Sequence, residues 1–108
     1  MKKTKVVLIN PPISIEDIYG KYSKLASFQP PVGLCHLAAY LIKNGYKVNI
    51  IDAPVLRLSI IKIIDNLMKD TPDLVGIYTN TANYHSVSLL AAEIKKANHF
   101  QKIVAGGP

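Results

Sequence analysis

Four apolar residues, Val6-Val7-Leu8-Ile9, run unbroken into Asn10-Pro11-Pro12, and this halt constrains the fold more than any other stretch of the chain. Consecutive β-branched residues favour an extended strand, and proline offers no N–H to a neighbouring strand, so the strand must stop at Asn10. An uninterrupted apolar run is what a strand covered on both faces requires. The stretch that follows, Ile13 to Gln29, keeps neither a period of two nor one of three and a half. It reads as a loop of a length that compact domains use for function or leave disordered, and the functional reading places a ligand beneath it.

Beyond the loop the apolar spacing changes to that of helices. Pro30-Pro31 introduces a helix in which Leu34, Leu37, Ala38 and Leu41 recur at intervals of three and four. It ends at Asn44-Gly45, where glycine can take the left-handed conformation of a C-cap. Val48, Ile50 and Ile51 predict a second strand, closed by Asp52-Ala53-Pro54. Ser59 is placed to cap a second helix, with Ile60, Ile63, Ile64, Leu67 and Met68 on one face and Lys62, Asp65, Asn66 and Lys69 on the other. Thr71-Pro72-Asp73 breaks that helix, and Leu74 to Tyr78 read as a third strand, apolar on both faces. The polar run Thr79-Asn80-Thr81-Ala82-Asn83 leads into a third helix that turns Val87, Leu90, Ala91 and Ile94 inward, with Asn83 as its cap. A fourth strand, Lys102 to Ala105, delivers the chain to Gly106-Gly107-Pro108.

Strands alternating with helices define an α/β fold of the flavodoxin-like (Rossmann-like) type, a three-layer sandwich around a parallel sheet with right-handed crossovers. The expected strand order is 2-1-3-4, with residues 1–108 forming one domain that is truncated before a fifth strand. Ligands of open α/β sheets sit beyond the carboxyl ends of the strands, where the strand order reverses. The candidate site therefore combines Asn10, Pro11 and Pro12 after strand 1, Thr79, Asn80 and Thr81 after strand 3, and Gly106 and Gly107 after strand 4.

Several chemistries lack their residues. A dinucleotide site needs a glycine-rich turn after strand 1, where this chain has two prolines. A phosphoacceptor receiver domain needs acids after strand 1 and an aspartate after strand 3, where Asn10 and Thr79 stand. There is no Walker lysine and no Ser, His and Asp set suggesting a nucleophile elbow. A flavodoxin-like domain binding flavin mononucleotide is an alternative, with Thr79 to Asn83 at a helix N-terminus holding the phosphate. Its usual phosphate loop, though, follows strand 1. His85 is the histidine nearest the site and a candidate metal ligand without an acidic partner to orient its ring. His36 and His99 read as structural or solvated. Cys35, among apolar neighbours on a helix, reads as a buried inert thiol.

The formal charge of +6 comes from 13 Lys and Arg against 7 Asp and Glu, but the lysines are scattered and form no basic stripe with interleaved aromatics. That pattern argues against a nucleic-acid partner. One cysteine supplies neither a structural zinc site nor an iron–sulfur cluster, and it favours a reducing compartment. With no apolar run of about 18 residues and no signal-peptide pattern, the expected location is cytoplasmic, away from any membrane.

Taken in order, Val7-Leu8-Ile9-Asn10-Pro11-Pro12, Pro30-Pro31-Val32-Gly33-Leu34, Leu37-Ala38-Ala39-Tyr40-Leu41, Gly45-Tyr46, Asp52, Asp73-Leu74-Val75-Gly76-Ile77 and Gly106-Gly107-Pro108 carry a resemblance. Over nearly its whole length the chain resembles the N-terminal cobalamin (B12)-binding domain of radical S-adenosylmethionine proteins. That group includes the anaerobic magnesium-protoporphyrin IX monomethyl ester cyclase and B12-dependent methyltransferase-like Fe-S oxidoreductases. The resemblance implies a corrin across the carboxyl edge of the sheet, with its nucleotide tail reaching into the domain. The Asn10 loop, Thr79 to Thr81, and Gly106 and Gly107 would then contact the cofactor. The Asp-x-His-x-x-Gly run of mutase-type cobalamin domains is missing after strand 1, so that axial histidine is not expected. The [4Fe-4S] cluster and S-adenosylmethionine of the resembled proteins belong to a C-terminal radical barrel in the parent chain, beyond what one cysteine can supply. The implied role is a non-catalytic module of an oxidoreductase or methyltransferase. Other expectations are a flavodoxin-like electron carrier, or a domain that binds nothing and forms a homodimer through an uncovered sheet edge.

Overall fold

The computed structural model of the protein describes residues 3–13, 15–21 and 31–107. Along the chain come β1 (Lys5–Asn10), α1 (Ile15–Ile18), α2 (Val32–Lys43), β2 (Lys47–Asp52), α3 (Ala53–Leu56), α4 (Ile60–Asp70), β3 (Leu74–Tyr78), α5 (Tyr84–Ala97) and β4 (Lys102–Gly106). The four strands form one parallel sheet in the order β2-β1-β3-β4. This is the expected flavodoxin-like arrangement, with the reversal of order between β1 and β3.

The apolar run of β1 divides between two cores because successive strand residues point to opposite faces. Val7 and Ile9 join Val75 and Ile77 of β3 on one face, beneath Ile18 of α1, Ala53 of α3, Ile60, Ile63 and Leu67 of α4, and Val87, Leu90 and Ile94 of α5. Val6 and Leu8 face the other way, toward Leu34 and Ala38 of α2, with Val48, Ile50, Leu74 and Tyr78 partly buried around them. Among the described residues, four helices thus cover one face of the sheet and α2 alone covers the other. The cover fails over β4, where Val104 is 56% exposed.

Several local expectations are borne out with their predicted chemistry. The Ser59 hydroxyl accepts from the Lys62 amide and caps α4. Gly45, at φ +91°, turns the chain after α2 in a Schellman arrangement in which the Tyr46 amide donates to Leu41 O and the Gly45 amide to Ile42 O.

Other expectations are corrected. The stretch Ile13 to Gln29 is not all loop: α1 makes a helical turn that buries Ile18, closed by the Lys21 amide donating to Glu16 O at 2.8 Å. Within the stretch, residues 14 and 22–29 lie outside the described residues, as does Pro30 after it. Pro54 does not simply close β2; it sits in the first turn of α3, where its missing N–H goes unneeded. Cys35 is exposed, because α2 buries only Leu34 and Ala38 and nothing among the described residues covers the side that carries the thiol. For the same want of cover Leu37 is 45% exposed, and Met68 lies 52% exposed at the rim of its helix. Asn83 precedes α5 but makes no side-chain cap bond to it. Among the described residues no helix is long and apolar enough to cross a membrane.

Candidate cofactor site

The parallel register brings the carboxyl ends of all four strands to one edge of the sheet, and with them the sequence-predicted residues. Asn10 ends β1 opposite Asp52 of β2, and its Nδ2 donates to Asp52 Oδ1 at 3.0 Å. Pro11 and Pro12 are fully buried, so their rings pack inside the domain. Thr79 leaves β3 beside β4, its amide donating to Gly106 O at 2.8 Å. Gly107 passes so close to Thr79 that a Cβ on the glycine would lie 1.8 Å from the Thr79 carbonyl oxygen. Thr79 is half-buried, and Asn80 and Thr81 are exposed.

The turn after β3 is held by its asparagines. The Asn80 amide donates to Asn83 Oδ1 at 2.8 Å and the Asn83 amide to Asn80 Oδ1 at 2.9 Å, while Asn83 Nδ2 donates to Tyr78 O at 3.1 Å. Short asparagine side chains close such turns because they imitate a backbone hydrogen bond two or three residues away.

Beside this edge, on the sparsely covered face, lies an open groove of about 630 Å³. Leu8, Gly76, Tyr78 and Val104 of the sheet line its floor, Gly33, Leu34 and Leu37 of α2 form one wall, and Gly106 and Gly107 lie at the end of β4. Its volume falls within the roughly 300–1,000 Å³ of small-molecule sites. Glycine keeps the floor open: the register pairs Gly76 with Leu8, and a Cβ on Gly76 would come within 2.8 Å of Leu8 Cδ2. A smaller cavity of about 260 Å³ between α4 and α5, lined by Met68 and Pro72 among others, lies at the opposite end of the sheet from the strand switch.

Of the predicted residues, Gly106 and Gly107 line the groove and Thr79 is bonded to Gly106, whereas Asn10, Pro11, Pro12, Asn80 and Thr81 are not among its lining. His85 is exposed on α5, which packs against the other face of the sheet. Among the described residues no three His, Cys, Asp or Glu side chains are grouped closely enough to hold a metal ion. The sequence reading missed Gly33, Leu37, Gly76, Tyr78 and Val104 as groove residues. A glycine inside a strand marks a close approach or an open place, and Gly76 was the available signal.

A parallel sheet with this strand switch, and a groove at its carboxyl edge, defines a ligand-binding domain of the flavodoxin-like class. The chain belongs to the B12 binding domain family, which matches it over residues 22–108. Among solved structures it is similar to the cobalamin-dependent S-adenosylmethionine radical enzyme OxsB, determined with aqua-cobalamin and S-adenosylmethionine bound. The TM-score is 0.74 at 21% sequence identity, over 98% of this chain and 14% of the OxsB chain. No curated protein matches the chain.

Proposed function

We propose that this chain is the N-terminal cobalamin-binding module of a larger radical S-adenosylmethionine enzyme. The observation that carries the reading is the glycine-floored apolar groove beside the carboxyl ends of β3 and β4. An elongated aromatic group needs an apolar slot that side chains line without filling, and Gly33, Gly76, Gly106 and Gly107 leave that room among the leucines. The groove would take the nucleotide tail, with Leu34, Leu37, Tyr78 and Val104 against its base. Asn10, Thr79, Asn80 and Thr81, at the edge above, would meet the corrin.

These residues would bind and orient the cofactor. Cobalamin held here would supply the parent protein with a methyl carrier or a partner for radical chemistry. The Asp-x-His-x-x-Gly run is missing after β1, so that motif would supply no histidine to the bound cofactor. The [4Fe-4S] cluster and S-adenosylmethionine would be held by the parent's radical barrel. The chain spans 14% of the OxsB length, as a module of a longer enzyme would. The outer edge of β4 has no neighbouring strand among the described residues and offers a second copy of the chain a pairing surface.

Titration with hydroxocobalamin is expected to shift its visible spectrum, and the cofactor is expected to co-elute with the protein on gel filtration. Leu37→Glu places a carboxylate in the groove at a position already exposed to water, and should weaken binding at least tenfold while leaving the melting temperature within a few degrees. A wild-type protein that neither shifts the spectrum nor retains the cofactor would overturn the proposal.

A further inference from the structure

We infer that Asn83 is a positioning residue that steadies the rim of the groove floor at the ends of β3 and β4, and with it the preference for a cofactor bearing a nucleotide tail over one without it. The inference rests on the cobalamin reading above. Asn83 is 3% exposed and is not among the residues lining the groove. It stands where a helix cap belongs, yet its side chain gives no bond to the first turn of α5. Its amide is used entirely upstream, with Oδ1 on the Asn80 amide and Nδ2 on Tyr78 O.

Those two bonds bracket Thr79. One buried side chain fixes the carbonyl before that residue and the amide after it. Thr79 in turn bonds Gly106 O through its amide, and its carbonyl oxygen lies where only glycine fits at position 107. Tyr78, Gly106 and Gly107 line the groove. The anchor at the other end is firm, because the Val87 amide donates to Asn83 O and Val87, Leu90 and Ile94 are buried in the core. A buried asparagine anchored on α5 thus steadies the end of β3, and through the Thr79–Gly106 bond it steadies the Tyr78, Gly106 and Gly107 rim of the groove floor.

The test compares hydroxocobalamin with cobinamide, which has the same corrin and no nucleotide. The wild-type chain, Asn83→Ala and the near-isosteric Asn83→Asp are titrated with each. Asn83→Asp keeps an acceptor for the Asn80 amide and loses the donor to Tyr78 O. Ser59→Ala, which uncaps α4 without touching the turn after β3, controls for a general loss of stability. The wild type should bind cobalamin at least tenfold more tightly than cobinamide. Both Asn83 variants should lose about tenfold in cobalamin affinity and nothing in cobinamide affinity, while Ser59→Ala keeps the wild-type ratio.

Asn83 variants that keep the ratio, or lose both ligands in equal proportion, would overturn the inference. So would a failure of both variants to fold by circular dichroism, which would make Asn83 a stability residue. A wild-type chain that binds neither compound overturns the cobalamin reading itself. One that binds both equally overturns the tail groove and this role together.

Discussion

Gly107 shows how much of the proposed site depends on the absence of a side chain. Its backbone lies against Thr79 so tightly that any Cβ would meet the Thr79 carbonyl, and a carbonyl in a bonded strand end cannot swing aside as a side chain can. Gly107→Ala should therefore part the ends of β3 and β4 and break the bond from the Thr79 amide to Gly106 O. The expected cost is about 1 kcal/mol, the net worth of one such bond, read as a lower melting temperature. Faster hydrogen exchange at the Thr79 amide would localise the damage, and weaker retention of hydroxocobalamin should accompany it. The contact at Gly76 is of a softer kind, since the atom in the way is a leucine methyl that can move.

Among the elements, α4 carries a correctable defect. It ends at Thr71, a β-branched residue at φ +47°, where an L side chain is crowded against the following backbone. Thr71→Gly should raise stability by about 1 kcal/mol, relief of that crowding outweighing the glycine's greater freedom in the unfolded chain. Thermal denaturation should show this as a rise of about 4–8 °C. The strands and three long helices were legible because β-branched runs and three-four spacings are properties of neighbouring residues, and Ser59 and Gly45 announce their turns by side-chain chemistry alone. The single-turn helices α1 and α3 were not, because four residues display no period. Cys35 and Leu37 were misplaced for another reason: α2 is apolar nearly all round, and sequence cannot tell which apolar side the sheet will take. The edge of the site was legible from strand order. The groove was not, because the pairing of Gly76 with Leu8 exists only once β1 and β3 are in register.

In the whole molecule, among the described residues, the outer edge of β4 has no neighbouring strand and one face of the sheet has little cover. Lys102 is the only charged residue in β4, so a second copy could approach that edge with little repulsion. Sedimentation velocity should reveal a monomer–dimer equilibrium. Ala105→Lys, at an exposed position of the edge strand, should shift it to monomer by setting like charges across the pairing. A wild-type chain that stays monomeric at high concentration would remove the edge as an interface.

The unequal covering of the sheet also bears on how such a domain can diversify. The core beneath four helices holds most of the fully buried side chains, including Ile9, Ile63, Ile77 and Leu90, and substitutions there leave cavities that cost several kcal/mol. On the other face, beyond Leu8 and Leu34, the groove is bounded by side chains that water already reaches, such as Leu37 and Val104, and by glycines. Mutation of those exposed side chains trades little stability for a change of shape or polarity. One side of the sheet thus preserves the architecture through mutational drift, and the other can acquire a different ligand while the fold beneath it stays the same.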